Sequence, residues 1–345
     1  MFEHRIYIIN IFLIIFISGV ESQNSFRVMF YNVENLFDVH DDSLKDDNDF
    51  LPDGFMRWSE WKYREKLNNI TKVITAVGGM NSPALVGLCE VENDSVLHDL
   101  TRRSALHAQG YDFIITNSPD ERGIDIALLY QRHQFKILEH TEYEIKFSDK
   151  RSPPTRNILH AVGTLINKDT LDVFVSHFPS RVSGKHETEQ IRIESAQVLR
   201  NKVDSILTIR AKSNLVIMGD FNDEPLDKSL LNTLKAKQVK KEIGNNDLYN
   251  LFYTKSKTPE FGTYKYQGIW SVSDHLIVNG TLLNSANTTH VKNSEAYIYN
   301  EKFLLEKDEK YYGMKPFRTN IGPRYNGGFS DHLPIYMDLI ILLHE

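Results

Sequence analysis

The chain has 345 residues, 41% of them hydrophobic and 25% charged, the balance of a soluble globular protein long enough to bury a core without staples. Its formal net charge is −6, which argues against a tight DNA-binding module but leaves room for an enzyme that touches a polyanion locally. The single cysteine, Cys89, excludes an intrachain disulfide, and in the apolar run Leu85 to Cys89 it reads as a buried small hydrophobe.

The chain opens with Arg5 and an apolar run, Ile6 to Val20, that ends in Val20-Glu21-Ser22, small residues at the positions a signal peptidase reads. The run is shorter than the ~20 apolar residues that span a bilayer. Residues 1–22 are therefore expected to be a signal peptide, cleaved near Ser22, that exports the chain to a periplasmic or extracellular space. From Asn24 onward no linker, repeat or low-complexity block interrupts the sequence, so residues 24–345 are expected to form one domain.

Strand-like and helix-like segments alternate along it. Phe26 to Tyr31, Leu85 to Cys89, Ile124 to Tyr130, Leu171 to Val175 and Leu215 to Met218 are short apolar runs rich in β-formers. Between them, Leu67, Ile70, Ile74 and Val77 share one helical face, and Ala196, Leu199, Val203 and Ile206 another. Near-continuous apolar strands imply sheets covered on both faces, so the class is α/β or α+β with layered sheets. Asp38 to Asp53 is acidic without the regular ligand spacing of a calcium loop, and reads as a solvated loop.

Four strand-like runs end on a residue able to bind metal or move a proton: Asn32, Glu90, His177, and Asp220 followed by Asn222. If these strands share a direction, those residues line one rim. Two Ser-Asp-His triplets, at 273–275 and 330–332, instead open strand-like runs. Antiparallel strands would bring them to the same rim. Carboxylates and an amide oxygen are hard ligands suited to Mg²⁺ or Mn²⁺, and histidines nearby can transfer protons close to neutral pH.

In order, Tyr31-Asn32-Val33-Glu34-Asn35-Leu36-Phe37, Leu88-Cys89-Glu90, Arg122-Gly123-Ile124-Asp125, Ser176-His177-Phe178-Pro179, Gly219-Asp220-Phe221-Asn222 and Ser330-Asp331-His332-Leu333-Pro334 resemble the motifs of the endonuclease/exonuclease/phosphatase superfamily. The resemblance spans Asn24 to about Leu339. It implies a four-layered sandwich of two mixed β-sheets with helices outside, and a metal-dependent hydrolase of phosphate esters. It also implies roles. Asn32, Glu90 and Asp331 would hold Mg²⁺ or Mn²⁺, with Glu34 a further carboxylate of the metal shell. Asp274 would polarise His332, which transfers a proton or stabilises the charged phosphate. Asp220 and Asn222 would orient water and phosphate. His177 would contact the scissile group or protonate the leaving oxygen, with Glu121 or Asp125 as its carboxylate partner. His275 would face away.

For substrate, Arg122, Arg156, Arg181, Lys185 and Arg192 lie beside the motifs and could grip successive phosphates of a nucleic acid. Tyr264, Tyr266 and Trp270 could stack on a base. A nuclease is the first expectation. A phospholipid or small phosphate-ester hydrolase is the alternative, its only candidate membrane hairpin being Ala296 to Phe317, where Glu and Lys interrupt the apolar residues. No obligate protein partner is implied. A non-catalytic binding module should have lost metal or proton-transfer residues, and none is missing.

Overall fold

The apolar runs assemble into two seven-stranded sheets, seen in a computed structural model that describes residues 24–210 and 212–343. The expected signal segment, 1–22, lies outside them. The first sheet runs Thr289–Val291, Ile335–Ile341, Asn24–Leu36, Leu85–Val91, Asp125–Gln131, Tyr111–Ile115, with Tyr297–Ile298 also bonded to Ile335–Ile341. The second runs Phe135–Tyr143, Ile158–Leu165, Thr170–His177, Asn214–Asp220, Asp274–Asn279, Leu248–Asn250, Ala236–Lys237.

Side-chain alternation explains the layering. Phe26, Val28 and Phe30 face the second sheet, in one cluster with Val173, Val175, Val216 and Met218. Met29, Tyr31 and Val33 point the other way, onto Leu67, Ile70, Ile74 and Val77 of helix Glu60–Gly78. Helix Glu189–Ile209 covers the far side, laying Ala196, Leu199 and Val203 on Phe174, Leu215 and Ile217. Each apolar side chain so buried stabilises the fold by about 1.5–3 kcal/mol. The result is helix, sheet, sheet, helix, the four layers expected, and Cys89 is buried between the sheets. Among the described residues, no helix is long and apolar enough to cross a membrane.

Both sheets share one plan that positions the site. Each has a central parallel pair, Asn24–Leu36 with Leu85–Val91 and Thr170–His177 with Asn214–Asp220. Each pair is joined by one antiparallel strand that a Ser-Asp-His triplet opens. In the second sheet His177 pairs with Asp220, and Asp220 with Asp274. In the first, Phe30 pairs with Ile335, so Asp331 and His332 arrive at the end where Asn32 lies.

Several strands had no counterpart among the apolar runs, the longest being Phe135–Tyr143 and Ile158–Leu165. Phe135–Tyr143 is an edge strand whose residues are mostly half-buried or exposed, so it carries little apolar signal. Ile158–Leu165 is buried, but His160 and Gly163 interrupt its hydrophobicity.

Candidate active site

The rim gathers residues from both sheets. The Asn32 amide nitrogen donates to Glu90 Oε1 and to Asp220 Oδ2, each at 3.1 Å. Ser330 Oγ donates to the Asn32 carbonyl at 2.7 Å and accepts from the His332 amide at 3.1 Å. Across the sheet boundary, His332 Nδ1 lies 2.7 Å from Asp274 Oδ2. Asp220 Oδ2 is the hub, 3.6 Å from His177 Nε2 and 3.7 Å from His332 Nε2. Asn222 donates its backbone N–H to Asp220 Oδ1 and its amide to the Phe178 carbonyl.

Strained backbone aims several of these groups. The pairing of the first two strands is irregular between Asn32 and Leu36, and Glu34 (φ 52°), Asn35 (φ 56°), Glu90 (φ 62°) and Asn222 (φ 50°) all adopt left-handed conformations. Such residues cost about 1–3 kcal/mol each and persist where their surroundings hold them. At Glu90 the Asn35 N–H does so, donating to Oε2 at 2.9 Å.

Gly219 is demanded by a close approach. A Cβ there would lie 2.2 Å from the Ser176 carbonyl oxygen of the neighbouring strand. Gly219→Ala should therefore force Ser176-His177 and Asp220 apart, destabilising the fold by about 1–3 kcal/mol. A displacement of about 1 Å costs on the order of a hundredfold in rate. Thermal melts and kcat of the variant check both; an active, equally stable G219A protein would show that the strands are not held at this spacing.

Burial sets the electrostatics. Burial pushes the Asp220 carboxyl up to about 7, with His332 opposing and Asp274 adding to the rise. Against the burial penalty, Asp274 and Asp220 hold the His332 imidazole well above its usual value, so it is charged. His177 is driven far down by burial and by Arg156, Arg122 and His332, so it is neutral. The site thus offers one imidazolium and one neutral imidazole on either side of a carboxyl tuned near neutrality.

Glu90 and Asp331 are carboxylates of the kind that would hold a divalent cation, although Asp331 Oδ2 also accepts from Arg318. Asn32, by contrast, turns its amide nitrogen to Glu90 and Asp220, and its oxygen accepts the Glu34 N–H at 3.0 Å. Asp220, Asp274 and His332 also bring ligand atoms within 4.8 Å of one another. There, however, His332 Nδ1 is already bonded to Asp274.

With this geometry in view, the sequence comparison decides the family. Residues 27–340 match the Endonuclease/Exonuclease/phosphatase family. The chain belongs to that family.

Members of the endonuclease/exonuclease/phosphatase family hydrolyse phosphate esters, and this chain is an enzyme of that class, with the family's general dependence on a divalent metal. No curated protein sequence matches it. Among solved structures, the mannosyl-6-phosphatase of Bacteroides thetaiotaomicron is similar at TM-score 0.55 and 18% identity, covering 92% of this chain and 100% of that one. The catalytic domain of human Nocturnin with bound sulfate gives TM-score 0.55 and 17% identity, covering 93% and 96%. TDP2 of D. rerio with a single-strand DNA product gives 0.55 and 15%, covering 92% and 99%.

Several expectations drawn from the resemblance need correction. Asp125 does not reach His177: it accepts from Thr116 Oγ1 at 2.6 Å and from the Ser118 N–H at 2.9 Å. Glu121 is exposed. His177 Nδ1 has no hydrogen-bond partner among the described residues, and its nearby carboxylates are Asp220 and Glu90. Glu34 is not open to an ion, since Arg318 Nε and the Thr319 and Asn320 amides engage its oxygens.

The cationic rim is also largely spent. Arg192 is fully buried on Asp223, and Arg156 is buried on Asp120 and the Phe178 carbonyl. Arg181 bonds Asp223 and Asp227, and Lys185 bonds Asp227. Arg122 alone of the five has a largely exposed side chain, 3.6 Å from Asp120. Of the aromatics, Tyr264 packs on His332 with ring centroids 4.8 Å apart, Tyr266 is exposed, and Trp270 packs against the core. His275 turns away as expected, between the Asp223 carbonyl and Asn250.

Sequence reading missed Arg318 and Lys66. Lys66 is fully buried, bonded to Thr319 Oγ1 and, at 2.8 Å, to the Phe329 carbonyl. Its signal was present: it sits on the apolar helical face between Tyr63 and Ile70. Arg318 carried no such signal.

Proposed function

We propose that the chain is an exported, divalent-metal-dependent phosphodiesterase that engages its substrate through one phosphate and that phosphate's immediate neighbours. The carrying observation is the Asp220 carboxyl held between charged His332 and neutral His177, beside Glu90 and Asn32. A bound Mg²⁺ or Mn²⁺ supplies positive charge to the phosphoryl oxygens. Asp220, poised near neutrality, takes the proton of the attacking water, where a general base works best. Asn222 fixes Asp220 and faces the same rim. His332, held by Asp274, sets its positive charge against the negative charge that grows on phosphorus. Neutral His177 donates an N–H to the scissile group; of the two roles expected for it, this one suits its depressed pKa.

The spent arginines favour a small phosphate ester or diester over a long polyanion. The nuclease reading keeps one specific observation, Tyr264 stacked against His332 with Tyr266 beyond it. Relatives in fold include both a sugar phosphatase and a protein bound to single-strand DNA. The purified chain should turn over bis(p-nitrophenyl) phosphate with Mg²⁺ or Mn²⁺ and lose that activity in EDTA. EDTA-sensitive nicking of plasmid DNA would restore the nuclease reading, and turnover of sphingomyelin vesicles alone would point to lipid. Export is proposed from Arg5 and the run Ile6 to Val20; finding the chain with its leader intact inside the producing cell would oppose it.

Glu90→Gln should raise the half-saturating Mn²⁺ concentration by on the order of 10- to 100-fold. An unchanged metal titration would make Glu90 a structural residue.

A further inference from the structure

We propose that Arg318 is a substrate-binding residue, a fixed cation that occupies the place of a second divalent ion and presents its guanidinium to the substrate phosphate. The inference rests on the metal-dependent reading above and defines the charge of that site: one ion and one arginine.

The geometry is that of a shared cation. A single nitrogen, Arg318 Nη2, lies 3.0 Å from Glu34 Oε1 and 3.1 Å from Asp331 Oδ2. Two carboxylates converging on one point at this distance would otherwise invite a metal. Arg318 Nε also bonds Glu34 at 3.0 Å, so two donors of the fork are committed. Nη1 makes no hydrogen bond among the described residues, and the side chain remains 39% exposed. A guanidinium anchored on one edge and open on another matches the geometry of a phosphate oxygen pair.

The chain builds this position at some cost. Arg318 follows the short strand Met314–Pro316 and opens the segment that carries the hairpin Asn320–Ile321 and Arg324–Tyr325. That segment is tied to helix Glu60–Gly78 at both ends. Buried Lys66 bonds Thr319 and the Phe329 carbonyl, and Asn69 bonds the Gly327 and Gly328 carbonyls. Asn326 donates to the Arg318 carbonyl at 3.2 Å. Burying a lysine is expensive unless it is well paired. Here it fixes the backbone on which Arg318 and Asp331 stand, which is the support a preorganised binding residue needs. A surface ion pair would need none of it.

The test titrates Mn²⁺ and, separately, inorganic phosphate into the purified chain by calorimetry, using wild type, Arg318→Ala and Arg318→Lys. Wild type should bind one Mn²⁺ at the rim. Arg318→Ala should accept a second and should bind phosphate more weakly by roughly tenfold or more, the loss of a charged hydrogen-bonded partner. Arg318→Lys, which keeps the charge against Glu34 and guards against a misfolded alanine variant, should retain the single ion and bind phosphate with intermediate affinity. Two ions in wild type, or phosphate affinity unchanged in both variants, would overturn the proposal. A wild-type chain that binds no Mn²⁺ would instead overturn the metal-dependent reading; phosphate titrated into metal-free protein still reports on Arg318.

Discussion

His332→Ala is expected to lower kcat by roughly 10²- to 10³-fold, the range for loss of a group that stabilises charge developing in the transition state, with an unchanged circular-dichroism spectrum. The imidazole is buried, packed under Tyr264 and bonded to Asp274 at 2.7 Å, while the residue's backbone bridges to Tyr264 and donates its N–H to Ser330 Oγ. Asp274→Asn should share the defect, because an amide cannot hold the imidazolium charge. Stability carries its own signature. His332 is raised above its unfolded value, so its contribution is complete below about pH 6.5 and fades as pH climbs through the folded value. The melting-temperature gap between wild type and His332→Ala should therefore narrow at alkaline pH. Near-native turnover by the alanine variant would remove the triplet at 330–332 from the chemistry.

Asp220→Asn should be comparably damaging, by on the order of 10²- to 10⁴-fold in kcat, with a smaller effect on KM if the base acts only in the transition state. The substitution keeps the shape of the hub and removes its charge. The stability effect runs in the same direction as that of His332 but in a lower pH window. A carboxyl pushed up to about 7 by burial binds its proton more tightly in the folded chain, so wild type loses stability between its ordinary value and about 7. In metal-free buffer the variant should thus gain on wild type in melting temperature as pH rises from about 4 to about 8. An Asp220→Asn protein that is active, or whose relative stability ignores pH, would mean the carboxyl is neither buried nor the base.

The sequence disclosed the strands that matter because their cores are continuous and their last residues polar. Runs such as Leu215 to Met218 are apolar since both faces are covered, and Asp220 stands out against them. The antiparallel return of Asp274 and Asp331 was legible because each triplet precedes its strand instead of following it. What stayed hidden depends on partners distant in the chain. Glu34 looked like a ligand until Arg318, 284 positions later, was seen to hold it. Arg192 looked like a surface cation, yet it lies on the inward face of a helix against Asp223. Charge reads as exposed in one dimension, and only three dimensions show which charges are already paired. Glu90 illustrates a further limit: strand alternation alone cannot reveal its left-handed turn toward the rim.

The two ends of the described chain lie side by side, Asn24 opposite Ile341 and Phe30 opposite Ile335. Asp331 and His332 are thus delivered to Asn32 and Asp274 only when the closing strand docks against the opening one. Such contacts, separated by nearly the whole chain, form late in folding because the loop they close is the longest available. A ribosome-bound polypeptide would carry every upstream motif and still be chemically silent. Competence arrives with the final strand, so latency during synthesis is written into the topology.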